Sequence, residues 1–79
     1  MEEKVKQILA DLFSIEKNKI HSKFSPLDAD DWDSFGHLNV VIALEEEFEI
    51  TLDEEQISDM KNFELIILIL NELLEEKNK

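Results

Sequence analysis

The chain has no cysteine, no arginine and no tyrosine, and it has one glycine and one proline among 79 residues. Without cysteine it has no disulfide framework, no thiol nucleophile and no Cys-type zinc site. The two histidines, His21 and His37, cannot fill a zinc site by themselves. Eight lysines face 20 Asp and Glu, a formal net charge of −12. Such a chain repels phosphate backbones and anionic lipid heads, so nucleic acid and membranes are not expected partners and basic protein surfaces are. Long apolar runs are also missing. Leu65 to Leu70 is the longest, against the roughly 20 residues that cross a bilayer. The opening MEEKVKQ lacks the basic-then-apolar pattern of a secretory signal. These absences point to a cytoplasmic, soluble, monomeric protein with one domain over residues 1–79. A domain this short buries only about 60% of the surface its unfolded chain exposes, so the core is modest. A hydrophobic content of 43% still argues against disorder, and the scarcity of breakers favours helix over a turn-rich β fold.

Apolar spacing divides the chain into an all-α pattern. Val5, Ile8, Leu9, Leu12 and Phe13 fall on one helical face and predict a first helix over residues 2–13. From Ser14 to Asp33 the periodicity dissolves into a long loop around Pro26. Ile15, Ile20, Phe24, Leu27 and Trp32 are expected to anchor it, with a short turn conceivable near residues 18–21. Asp33 or Ser34 starts a second helix running to about Phe48. Val40, Val41, Leu44 and Phe48 share one face, Phe35, Leu38 and Ile42 a neighbouring one, and Gly36, Asn39, Ala43, Glu46 and Glu47 a small or polar strip. An apolar girth so broad predicts a helix touching several others. A short helix follows an Asp53 cap, with Leu52, Ile57 and Met60 inward. A last helix begins at Phe63 after Asn62 and carries Ile66, Ile67, Leu70, Leu73 and Leu74 at helical spacing to about residue 76. Three longer helices, one short helix and a long first loop predict a small four-helix bundle.

The start of the second helix is where chemistry could reside. Free backbone N–H groups and the positive end of the helix dipole favour an anion there, so a phosphodiester on Ser34 would be electrostatically favoured. Serine is equally an ordinary helix-start residue. Position alone leaves both readings open.

The string DWDSFGHLNVVIALEEEFEI, residues 31–50, resembles the acyl carrier protein family. Asp33 and Ser34 match the first two positions of that family's Asp-Ser-Leu at the head of its second helix. Ala43, Leu44, Glu45, Glu46, Glu47 and Phe48 match its Ala-Leu-Glu-Glu-Glu-Phe at the same spacing. Length, acidity and helix order extend the likeness over essentially the whole chain. The resemblance implies a carrier rather than an enzyme. A phosphopantetheinyl transferase would attach 4'-phosphopantetheine from coenzyme A covalently to Ser34, with Asp33 as motif partner. The arm's thiol would then hold acyl groups as thioesters for the acyl-transfer and chain-processing enzymes of fatty-acid, polyketide-like or related biosynthesis. The resemblance further implies that Glu45, Glu46, Glu47 and Phe35 meet basic docking patches on those enzymes. It implies an acyl chain sheltered between helices by Leu38, Val41, Ile42, Leu44, Ile57, Met60, Ile66 and Leu70. Each of these eight also reads as plain core.

The chain departs from the family pattern at three places. Phe35 replaces the usual leucine, and Gly36 and Asn39 stand where fatty-acid carriers commonly show acidic residues. A less acidic surface beside Ser34 points to a specialised carrier serving a dedicated pathway. Two other functions remain open: an aminoacyl or peptidyl carrier, and an unmodified acidic helical adaptor for a basic partner. In the adaptor, Ser34→Ala would leave function intact while charge reversal at Glu46 and Glu47 would destroy it. His37, one turn past Ser34, is expected to be exposed. Asp28, Asp30, Asp31 and Asp33 suggest calcium, but counting from Asp28 the sixth and twelfth positions hold Asp33 and Asn39, not the Gly and Glu of an EF-hand. No metal site is therefore assigned, and weak divalent binding stays open. No base and nucleophile pair suggests catalysis by the polypeptide itself.

Overall fold

Four helices, α1 (Glu2–Phe13), α2 (Ser34–Phe48), α3 (Glu54–Asp59) and α4 (Phe63–Lys77), make up the computed structural model, which describes residues 1–77. Among the described residues there is no strand, and no helix is long and apolar enough to cross a membrane. The last two positions of the single domain expected over residues 1–79 lie outside the described residues. The all-α architecture with three longer helices and one short one is the one the apolar spacing predicts.

Side-chain caps set the three later helix starts. Asp33 Oδ1 accepts the Gly36 N–H at 2.9 Å and Asn62 Oδ1 accepts the Leu65 N–H at 2.9 Å. Asp53 and Gln56 form a reciprocal capping box, at 2.7 and 3.0 Å. A helix as short as α3 is marginal alone, so the box and the burial of Leu52 and Met60 on either side of it hold it in place.

The C-terminal caps of α1 and α2 are made without glycine. Ser14 after α1 and Glu49 after α2 both adopt left-handed backbone, at φ 54° and 53°. A side chain in that region costs about 1–2 kcal/mol, which glycine avoids. Ser14→Gly is therefore expected to raise stability by about 0.5–1 kcal/mol after its extra unfolded-state entropy is subtracted, read from a urea melt.

Between α1 and α2 the chain is ordered without being regular. It contains two single 3-10 turns, Lys17–Lys19, close to the turn the sequence allows at residues 18–21, and Pro26–Asp28, which the apolar spacing does not predict. Main-chain bonds fix it to α4: the Phe24 carbonyl accepts the Phe63 N–H at 2.8 Å and the Ser22 carbonyl accepts the Glu64 N–H at 2.9 Å. These N–H groups belong to the first turn of α4, which has no intrahelical acceptors for them. Lys17 also pairs with Glu3 at 3.0 Å, and its hydrogen bond and charge hold that carboxyl below the usual carboxylate range. The pair is exposed and contributes little. Ile20, Phe24 and Trp32 are buried and Ile15 is half-buried, as expected of anchors. Leu27 is not an anchor; it is 96% exposed beside Pro26.

The interior is built from Val5 and Leu9 of α1, Val40 and Leu44 of α2, Met60, and Ile66 and Leu70 of α4, all essentially without solvent contact. Here α2 departs from its expected girth. Phe35 is 79% exposed and Leu38 and Ile42 are each 53% exposed, so this second face stays largely open among the described residues. Gly36, assigned to the polar strip, is buried instead. A Cβ there would run into the Asp31 carbonyl oxygen and stand 3.2 Å from Phe13 Cε1. Loss of a side chain at position 36 lets the loop close over the first turn of α2.

Candidate functional site

Ser34 is the first helical residue of α2, while Asp33 is its cap. Because the carboxylate of Asp33 takes the capping bond, the Ser34 hydroxyl has no hydrogen-bond partner among the described residues, and the residue is exposed. Helix initiation therefore does not require that oxygen. An open cleft of about 560 Å³ lies against it, lined by Pro26, Trp32, Asp33, Ser34, His37 and Leu38.

An aromatic stack supports the cleft from below. The Trp32 ring stacks with Phe13, at a centroid distance of 5.4 Å, with Phe24, at 5.8 Å, and with His37, at 6.2 Å. Trp32 Nε1–H donates to His37 Nδ1 at 3.0 Å, and His37 Nε2 lies 2.8 Å from the Ile57 carbonyl oxygen. The indole N–H only donates and the carbonyl only accepts, which puts the imidazole proton on Nε2. His37 thus ties the loop, α2 and α3 together one turn from Ser34. The exposure expected of His37 is corrected: it is half-buried, with both ring nitrogens occupied. Spacing along the helix could not reveal this, because both partners come from outside α2. His37→Ala leaves the indole N–H and the Ile57 carbonyl without these partners, and is expected to destabilise the fold by about 1–3 kcal/mol in a denaturant melt.

The other expected site residues separate by environment. Phe35 and Glu46 stand free on the surface. Glu47 pairs with Lys4 at 3.5 Å, and Glu45 folds back, its Oε2 accepting the Leu52 N–H at 2.8 Å. The three glutamates read as one acidic run therefore have three different surroundings. Of the eight residues expected to shelter an acyl chain, Leu38 lines the cleft beside Ser34, and it does so from the surface. Ile42 is exposed and Ile57 half-buried. Val41, Leu44, Met60, Ile66 and Leu70 are packed core. In this structure these five side chains pack the core. Conversely, Pro26 and Trp32 border Ser34 without having been assigned to the site. The sequence carried a partial signal, since Trp32 lies two residues before Ser34, but the fold of the loop decides that both face the cleft. Asp28, Asp30, Asp31 and Asp33 do not converge: among the described residues no group of three or more His, Asp or Glu side chains could hold a metal ion.

No family model matches the chain. It is similar to the acyl carrier protein of Petrotoga mobilis, with 32% identity over 72 residues, covering 91% of this chain and 85% of that protein. It is also similar to the acyl carrier protein of Thermosynechococcus vestitus, with 30% identity over 69 residues, 87% of this chain and 85% of that one. The chain belongs to the acyl carrier protein family. Members of the acyl carrier protein family in general carry a phosphopantetheine prosthetic group and exchange cargo with biosynthetic enzymes. The residues of this acyl carrier chain fit such a group: it has an exposed, unbonded hydroxyl at a helix start, with free N–H groups of that first turn nearby and an open cleft alongside.

Proposed function

We propose that this chain carries acyl intermediates on a 4'-phosphopantetheine arm esterified to Ser34, and that it is not itself an enzyme. The observation that carries the reading is the Ser34 hydroxyl, exposed and released from capping by Asp33 at the first position of α2. When bound, the arm supplies a thiol able to hold an acyl group as a thioester, which a polypeptide without cysteine cannot offer. The N-terminus of α2 stabilises the phosphodiester, and Asp33 keeps the helix start in register so that the attachment oxygen points outward.

Partner enzymes are proposed to meet the unpartnered face of α2. Phe35, Leu38 and Ile42, at i, i+3 and i+7, form an apolar stripe, and Glu46 extends it with a free carboxylate. An apolar stripe with acidic flanks suits transient docking to a basic-rimmed surface, in which the charges accelerate encounter and the apolar contacts hold it. Glu47 and Glu45 take smaller parts in this surface, because each already has an internal partner. The neutral, exposed Asn39 favours a specialised pathway over the housekeeping fatty-acid enzymes; Gly36, being buried, does not bear on it. The proposed setting is the cytoplasm, with one carrier domain acting as a monomer.

Incubation with a phosphopantetheinyl transferase, magnesium and coenzyme A, followed by intact-mass measurement, tests the reading. A single mass gain corresponding to the arm is expected. An unchanged mass with several broad-specificity transferases contradicts it and favours the unmodified adaptor.

A further inference from the structure

Resting on the reading of Ser34 as the attachment point, we propose that the turn Pro26–Asp28 is a docking surface for the phosphopantetheinyl transferase, with Leu27 as its apolar anchor. One exposed leucine is ordinary on a protein surface. Leu27 is distinguished by how it is held. It is 96% exposed on a turn closed by its own hydrogen bonds. Pro26 fixes the backbone just before it. The Ser25 Oγ accepts the Leu27 N–H at 3.2 Å, Asp28 Oδ2 accepts the Ser25 N–H at 3.0 Å, and the Asp28 N–H donates to the Ser25 carbonyl at 2.9 Å. Buried Phe24 and Ala29 pin the chain on either side. A side chain presented on so fixed a backbone loses little freedom when a partner covers it.

Placement and charge point to the partner. Pro26 lines the cleft that also holds Ser34 and Leu38, so the turn borders it on the loop side and α2 on the other. An enzyme that encloses the Ser34 hydroxyl therefore meets the turn as well as the exposed Phe35 and Leu38. The charge near Ser34 also lies on the loop. From Ser34 to Leu44 the helix has no carboxylate, whereas Asp28, Asp30, Asp31 and Asp33 precede it, all exposed. No lysine stands between Lys23 and Lys61 in the sequence. Asp28 and Asp33 each commit an oxygen to a cap, which leaves Asp30 and Asp31 to attract a cationic rim. The basic rim of the transferase thus faces the loop, with an apolar pocket over Leu27, and not the first half of α2.

The protein and its Leu27→Ala variant are compared as substrates of a broad-specificity phosphopantetheinyl transferase with magnesium and coenzyme A, and kcat and KM for the carrier are read from intact-mass time courses. Loss of uniform binding raises KM and leaves kcat alone, so Leu27→Ala is expected to raise KM about tenfold with kcat within about twofold of the parent. Leu68→Ala, exposed on α4, is the control and is expected to change neither. Asp30→Asn/Asp31→Asn is expected to raise KM at low ionic strength and to match the parent at high ionic strength, where the charges are screened. A KM for Leu27→Ala equal to the parent's, or raised no more than in Leu68→Ala, overturns the dock while Ser34 still loads. No rise in the double Asp variant overturns its charged part. A parent chain that takes up no arm overturns the carrier reading and the dock with it.

Discussion

Gly36→Ala is expected to destabilise the protein by about 3 kcal/mol, against the direction helix propensity alone predicts. At an exposed helix position the same exchange would gain about 1 kcal/mol. Position 36 is buried, and a methyl group there meets the Asp31 carbonyl oxygen and the Phe13 ring at once. The carbonyl is main chain and cannot turn away as a flexible side chain would. Accommodation means lifting the end of the loop off α2, which also pulls Trp32 from its stack with Phe13. For a domain whose total stability is of the order of 5–15 kcal/mol, this is a large fraction. Asn39→Ala, exposed on the same helix, serves as control and is expected to stay within about 0.5 kcal/mol of the parent. Parallel urea melts decide the matter, and a Gly36→Ala protein as stable as the parent would show that the loop does not close in this way.

Gly36 also marks where sequence reasoning gave out. Helix extents followed from apolar spacing and caps, because each depends on residues within one or two turns: α1 begins and ends as expected, and Asp33, Asp53 and Asn62 cap the three later helices. What was not legible depends on contacts between segments distant in the chain. The sole glycine is needed for close approach of the loop, while the left-handed positions that usually favour glycine hold Ser14 and Glu49. His37 reads as a surface residue until Trp32 and Ile57 are brought to its two nitrogens. The apolar residues Phe35, Leu38 and Ile42 satisfied a pattern for burial, but the described residues leave them largely exposed. Ser34 itself was found from a local motif, and its exposure required the fold.

Ser34→Ala is expected to abolish arm attachment completely while leaving stability within about 0.5 kcal/mol of the parent. The two effects separate because the hydroxyl makes no hydrogen bond in the fold and the helix is capped by its neighbour. Asp33→Ala should behave in the opposite way in a melt, costing about 1 kcal/mol through the lost cap. Intact mass after transferase treatment and a urea melt on the same preparations provide both readouts. Residual loading of the Ser34→Ala protein would mean that another hydroxyl is the acceptor.

The most direct measurement of the central claim is a peptide map, by mass spectrometry, of the protein recovered from its native cell. The account predicts a phosphopantetheine group on the peptide containing Ser34 and on no other. A chain recovered with Ser34 unmodified throughout, or with the group on a different side chain, would contradict it.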